Sequence, residues 1–491
     1  MYSLLLAFFT GLAAVAAAPD ELQVVTTAGP VIGHYAKNGN LTIVREFLGV
    51  PYSRPPVGEL RFQPPQPPTP WSDPVVAANF GASCWQSPFE VGLIRQPPPS
   101  RESEDCLTVN VWAPSKSRAT NGGAAVMLWT HGGGFAWGTS ETNMYNGANI
   151  VRDHEGVIVV SYNKSRLDRM REGDSYSCFS RLNLFGFPAA PGLNATQLNP
   201  GLLDVRRAVE WVWDNIANFG GDPHKITIFG ESAGSAAIDA YLYFAKNDPI
   251  IRGAILQSGA ITIPSGSGGE PSRFGPRTMN WNNLSAAVNC PISPAATNLE
   301  CIRKLPAATL FNATARYNIS FAPVADNGTI FSDTAHRLQR GNFARVSVLI
   351  GSNDQEIPGA SPAAVNATLT GFTCPAAKNA AGHAKFVPTW MFRWFGDFPT
   401  YPGAPSLGPY HGTEISNIFG TFNSAIATSE QIASSKYVQA AWVAFAKNPT
   451  RGLARYGWPT YNPYRPTLVR LAVNNTAKAS FAMPATYHSA C

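Results

Sequence analysis

The chain has 491 residues, 45% hydrophobic and 14% charged, enough apolar material for one large α/β domain or two to three ordinary ones. Its formal charge of +6 is spread without a basic block, which excludes a nucleic-acid-binding surface of the usual kind. No apolar run after the N-terminal one reaches the ~18 residues of a membrane span, and 43 Gly with 41 Pro imply many ordered loops.

Taken in chain order, "MYSLLLAFFTGLAAVAAAPDE" sets an apolar run before small residues, the shape of a secretory signal peptide. Cleavage after Ala17 satisfies the small-x-small rule through Val15 and Ala17, leaving residues 18–491 as one exported domain. Asn-x-Ser/Thr sequons at Asn40, Asn163, Asn194, Asn283, Asn312, Asn318, Asn327, Asn366 and Asn474 agree with a glycosylated extracellular protein. Seven cysteines (Cys84, Cys106, Cys178, Cys290, Cys301, Cys374 and Cys491) leave one over if the others pair. The stretch "LGVPYSRPPVGELRFQPPQPPTPW" is extended surface structure, because proline excludes a central strand or helix.

Then come "AAVMLWTHG", "GVIVVSYN", "KITIFG", "RGAILQSG" and "RVSVLIGSN", near-continuous apolar runs ending in Gly, Ser or Asn. Strands buried on both faces of a parallel sheet read this way. Between two of them, "LLDVRRAVEWVWDNIANFGGD" places Leu203, Ala208, Val209, Val212 and Ile216 at helical spacing, with Gly220 and Gly221 closing the helix. Strand–helix–strand crossovers of this kind build a doubly wound α/β sheet.

Two stretches carry chemistry. In "KITIFGESAGSAA", Gly230 to Gly234 must turn sharply from a strand into a helix with Ser232 at the apex, a nucleophile elbow whose neighbours must be small. In "LWTHGGGFAWG", a strand runs into His131, Gly132, Gly133 and Gly134, where backbone N–H groups can approach a developing oxyanion. A serine needs a base and an orienting acid, and Ser232, Glu356 and His411 occur in the order Ser, Glu, His. Glu356 follows the strand "RVSVLIGSN", at the carboxyl end where such sheets keep their sites.

The segments "FLGVPYSRPPVGELRF", "SEDCLTVNVWAP", "HGGGF", "LNLFGF", "FGGDPHKITIFGESAGS", "LQSGA", "GSNDQE" and "YHGTEISNIFG" resemble, in order, those of the type B carboxylesterases, a family that includes cholinesterases and fungal lipases of the α/β-hydrolase fold. The resemblance implies an ester hydrolase in which His411 takes the proton of Ser232 and Glu356 orients His411. Gly133, Gly134 and Ala233 would form the oxyanion hole. Asp354 is the rival acid, set aside on the family's spacing. No metal or cofactor is required, the partner is a small-molecule ester, and the oligomeric state stays open.

It also implies disulfides Cys84–Cys106 and Cys290–Cys301, an Arg61–Glu104 ion pair, and a supporting hydroxyl from Ser258 near the acid. Cys374 and Cys491, lacking nearer partners, are paired by expectation. The loop "CWQSPFEVGLIRQPPPSRESEDC" leaves space for only one or two helical turns, favouring soluble esters over interfacial lipase action. Trp85 follows Cys84 directly, which speaks against choline specificity. A triacylglycerol lipase, a peptidase or amidase using the same triad, and a non-catalytic adhesion protein on this fold are the alternatives.

One segment departs from the family pattern. Lys164 to Ser180, "KSRLDRMREGDSYSCFS", stand where the resemblance expects one tyrosine, and they bring the odd Cys178. This polar stretch reads as a retained intron that the active enzyme lacks.

Overall fold

The computed structural model describes residues 20–36, 41–86, 89–91, 94–96, 102–162, 164–165, 181–261, 278–403 and 407–491. The proposed leader (residues 1–17), Asn40, Asn163 and Cys178 lie outside them.

An 11-stranded sheet organises the fold. Its strands in chain order are β1 (His34–Ala36), β2 (Leu41–Pro51), β3 (Thr108–Pro114), β4 (Ala124–Thr130), β5 (Val157–Tyr162), β6 (Gly221–Glu231), β7 (Gly253–Gln257), β8 (Ser347–Asn353), β9 (Thr389–Trp394), β10 (Leu468–Leu471) and β11 (Ser480–Ala482). In space they run β11-β10-β9-β8-β7-β6-β4-β5-β3-β2-β1. The stretch from β10 to β5 is parallel, and antiparallel pairs close both ends.

Every apolar run expected to be a parallel strand is one. Alternate side chains enter cores on opposite faces: Val126 and Leu128 of β4 face one cluster, Met127 and Trp129 the other. A residue buried on either face has to be apolar, so the run is continuous.

Helix α1 (Pro200–Asn215) and helix α2 (Ala233–Phe244) cover the first face. The buried stripe of α1 runs through Leu202, Val205, Ala208, Val209 and Val212, with Leu203 half-buried, one position off the stripe expected from spacing. Gly220, at φ 93°, ends the turn after α1, and β6 starts at once with Gly221, earlier than the "KITIF" run suggests. A third cluster packs Phe62, Trp85, Trp281, Leu284 and Ile302 under the N-terminal segment. There Trp85 is 6% exposed and lies against Phe311, so it serves as core.

Arg61 and Glu104 form a two-pronged pair, Nε–Oε1 and Nη2–Oε2 both 2.7 Å. Arg61 Nη1 also donates to the carbonyls of Ile302, Arg303 and Leu305, so one guanidinium ties three segments. Cys290 is bonded to Cys301 and Cys374 to Cys491.

Cys84 and Cys106 are both buried, and Cys84 Sγ lies 3.6 Å from the Cys106 carbonyl. Within the loop they bound, the described backbone is a hairpin, Phe89–Val91 against Ile94–Gln96, and not helical turns. The run of Phe, Val and Ile there has the side chains of a strand.

Of the atypical segment, only the backbone of Lys164 and Ser165 is described, paired antiparallel with Ala82 and Gly81.

Candidate active site

Three strand ends meet at the carboxyl edge of the sheet. β6 delivers Ser232, β4 delivers His131 to Gly134, and the loop after β8 delivers Glu356. Ser232 sits at φ 55°, ψ −124°, a backbone region that side-chain-bearing residues rarely adopt. The surroundings hold it there. A Cβ on Gly230 would lie 2.5 Å from the Thr130 carbonyl, and one on Gly234 2.2 Å from the same oxygen. One on Gly259 would lie 2.0 Å from the Ser232 carbonyl. The small residues flanking Ser232 are therefore a packing requirement, met only when the elbow is pressed against β4 and the turn after β7.

Gly133 (φ 111°) and Gly134 (φ 59°) carry the loop after β4 through left-handed conformations. Among the described residues their N–H groups donate to no acceptor. The N–H of Ala233 opens α2, where helix geometry provides no partner. His131 is half-buried, its Nδ1 2.9 Å from the Gly132 carbonyl.

His411 precedes helix α5 (Thr413–Phe419). Its Nδ1 lies 2.6 Å from Glu356 Oε2, although the two residues are 55 positions apart. A carboxylate only accepts, so Nδ1 carries the proton. The other oxygen of Glu356 accepts from the Asn353 N–H at 2.7 Å, and the His411 N–H donates to the Glu356 carbonyl at 3.1 Å. Asp354 is used elsewhere, accepting from Arg393 Nε at 2.7 Å. The Ser258 hydroxyl is buried and makes no hydrogen bond among the described residues.

The sequence reading missed two carboxylates. Glu231 Oε1 is 3.0 Å from His411 Nε2, and Ser232 Oγ makes no hydrogen bond among the described residues. Glu414 is 1% exposed and accepts from Asn353 Nδ2 at 2.8 Å and Gln257 Nε2 at 3.1 Å. Both lie inside stretches quoted above, "GESAG" and "YHGTEI". The signal was a charged residue at a position that must be buried.

Their electrostatics follow from burial. Burial pushes the Glu231 carboxyl up and the charges of Glu414 and Glu356 add to this, against the pull of His411. Burial lowers the pKa of His411, but Glu231 and Glu356 together raise it, and the net direction is up. The arrangement thus favours the imidazolium, the state a histidine base reaches after accepting a proton.

The Carboxylesterase family model matches residues 20–369. Secreted lipase 5 of Gibberella zeae is 32% identical over 89% of this chain and 88% of its own length. Chlorogenic acid esterase of Aspergillus niger is 32% identical over 95% of this chain and 88% of its own length. Acetylcholinesterase of Electrophorus electricus is 35% identical over 70% of this chain, which spans 52% of that protein. Among solved structures, a PNB esterase superposes with a TM-score of 0.75 at 26% identity, covering 94% of this chain and 97% of that one. The sheet order, the elbow and these matches have one reading: the chain belongs to the carboxylesterase family, an ester hydrolase on the α/β-hydrolase fold.

Proposed function

We propose that this protein is an exported serine ester hydrolase in which Ser232 is the nucleophile, His411 the general base and Glu356 the group that orients and charge-balances His411. The observation that carries it is the 2.6 Å contact of His411 Nδ1 with Glu356 Oε2 beside a strained Ser232 elbow. Ser232 Oγ attacks the ester carbonyl while His411 Nε2 takes its proton. The oxyanion is held by the N–H groups of Gly133, Gly134 and Ala233, the alcohol leaves with the proton returned by His411, and water clears the acyl-enzyme. Nε2 faces Glu231, the chain neighbour of Ser232, in this structure, and proton transfer requires it to turn to Ser232; catalytic hydrogen bonds commonly tighten only when substrate is bound.

Export is supported by the leader-like N-terminus and by exposure of every sequon asparagine among the described residues: Asn194, Asn283, Asn312, Asn318, Asn327, Asn366 and Asn474. No helix among the described residues is long and apolar enough to cross a membrane. The substrate class is soluble esters, in keeping with the short loop between Cys84 and Cys106. The name of the Gibberella zeae relative makes lipid esters the competing reading.

The test is hydrolysis of p-nitrophenyl esters of increasing chain length, measured separately in culture medium and cells, with and without a serine-directed phosphonate. Short-chain activity in the medium, abolished by phosphonate, is expected. Phosphonate-resistant activity would overturn the serine mechanism, and a rise in rate only above the solubility limit of long-chain esters would favour the lipase.

We further propose that residues 164–180 are absent from the active enzyme. Sequencing of mature transcript decides this: the expected message lacks their codons, and a message that encodes them throughout refutes it.

A further inference from the structure

Among the described residues, two carboxylates, Glu231 and Glu356, and one aromatic ring lie close to the His411 imidazole. The third is Phe372, whose ring centroid is 4.8 Å from that of His411 at an interplanar angle of 52°. Phe372 belongs to a π-helical turn, Leu369–Thr373, between helix α3 (Pro362–Thr368) and helix α4 (Cys374–His383). Single π-turns inside helices recur at functional sites because they re-aim one side chain.

This turn is tied on both sides of Phe372. Before it, the Thr368 hydroxyl, 5% exposed, accepts from the Ile357 N–H at 3.0 Å, so the residue following Glu356 is fastened to α3. After it, the buried Thr373 hydroxyl accepts from Arg393 Nη1 at 3.4 Å, and the same guanidinium donates to Asp354 Oδ1 at 2.7 Å. The next residue, Cys374, is disulfide-bonded to Cys491. The loop that carries the acid and the ring that touches the base are thus braced by one bulged helix.

We propose that Phe372 is a positioning residue for His411. This rests on the reading of His411 as the general base. Glu356 fixes where Nδ1 points, but a single hydrogen bond leaves the imidazole free to pivot about it. A ring tilted against the imidazole limits that pivot and keeps Nε2 directed at the Glu231–Ser232 elbow. The negative face of an aromatic ring also favours a cation within about 6 Å, so Phe372 stabilises the imidazolium that forms as Ser232 loses its proton.

The test compares Phe372→Ala, Phe372→Leu and Phe372→Tyr on p-nitrophenyl acetate, with the concentration of active sites fixed by phosphonate titration and folding checked by thermal unfolding. Phe372→Ala is expected to lower kcat roughly tenfold with KM within about twofold, because the base is misplaced while the substrate pocket stays. Phe372→Leu keeps the apolar cover and loses the π face. Its imidazolium gives up its proton more easily, so the acidic limb of kcat/KM moves down by about half a pH unit. Phe372→Tyr should restore both.

Leu and Ala variants with kcat within twofold of wild type and an unmoved acidic limb would overturn the proposal. If Phe372→Ala does not fold, the contrast between Leu and Tyr decides it alone. A wild-type enzyme that phosphonate fails to titrate would instead overturn the serine mechanism, so the two failures are distinguishable.

Discussion

Replacing Ser232 by alanine is expected to lower kcat on p-nitrophenyl acetate by roughly 10⁶ and to leave a folded protein with an unchanged unfolding midpoint. The strain at φ 55° is held by the packing of the elbow against the Thr130 carbonyl and the turn after β7. Alanine adopts that conformation at the same cost as serine, so stability is spared while the nucleophile is lost. His411→Ala should fall by a comparable factor, since an un-ionised hydroxyl without a base is a poor nucleophile. Glu356→Gln should be the mildest of the three, because Glu356 orients the base and exchanges no proton itself. Activity within tenfold of wild type in Ser232→Ala would show that another residue performs the attack.

The second large effect is expected at Gly133. A methyl group there would lie 1.7 Å from the Trp137 carbonyl oxygen, and the residue already sits at φ 111°. Neither atom is at the end of a flexible side chain, so the loop itself has to move, and with it the N–H proposed as an oxyanion donor. Gly133→Ala should therefore lose about 10²–10³ in kcat, the usual effect of removing one such donor.

Gly134→Ala is the control. At φ 59° a Cβ meets nothing closer than 4.0 Å, so the added cost is roughly 1–2 kcal/mol of left-handed backbone. Its kcat should stay within about tenfold of wild type. Steady-state kinetics on both variants, normalised to phosphonate-titrated sites, check the contrast. Equal losses in the two would mean that loop flexibility and not donor placement is being read.

The parallel strands were legible because burial on two faces forces continuous apolar runs, as in "AAVMLWT", which needs no knowledge of its neighbours. The elbow was legible for a similar reason: a chain turning within a few residues from strand to helix has room only for small side chains, and Gly230 and Gly234 supply them. The hairpin at Phe89–Val91 and Ile94–Gln96 was not legible, because prolines further along the loop limit helix length without indicating what stands in its place. The one-position shift of the α1 stripe from Leu203 to Leu202 and Val205 has a like origin, since several phases of a 3.6-residue pattern fit so apolar a segment.

By itself, then, the sequence determined the elements whose causes are local: the buried strands, the α1 helix, the tight turn at Ser232 and the glycines that leave amides bare. Tertiary structure alone decided which charges and rings stand around His411. Glu231 and Phe372 carry no spacing signal relative to His411 that marks them as neighbours, because they arrive there on different elements of the folded chain. Contacts of this kind depend on ångström distances between separately folded elements, which a linear pattern does not contain.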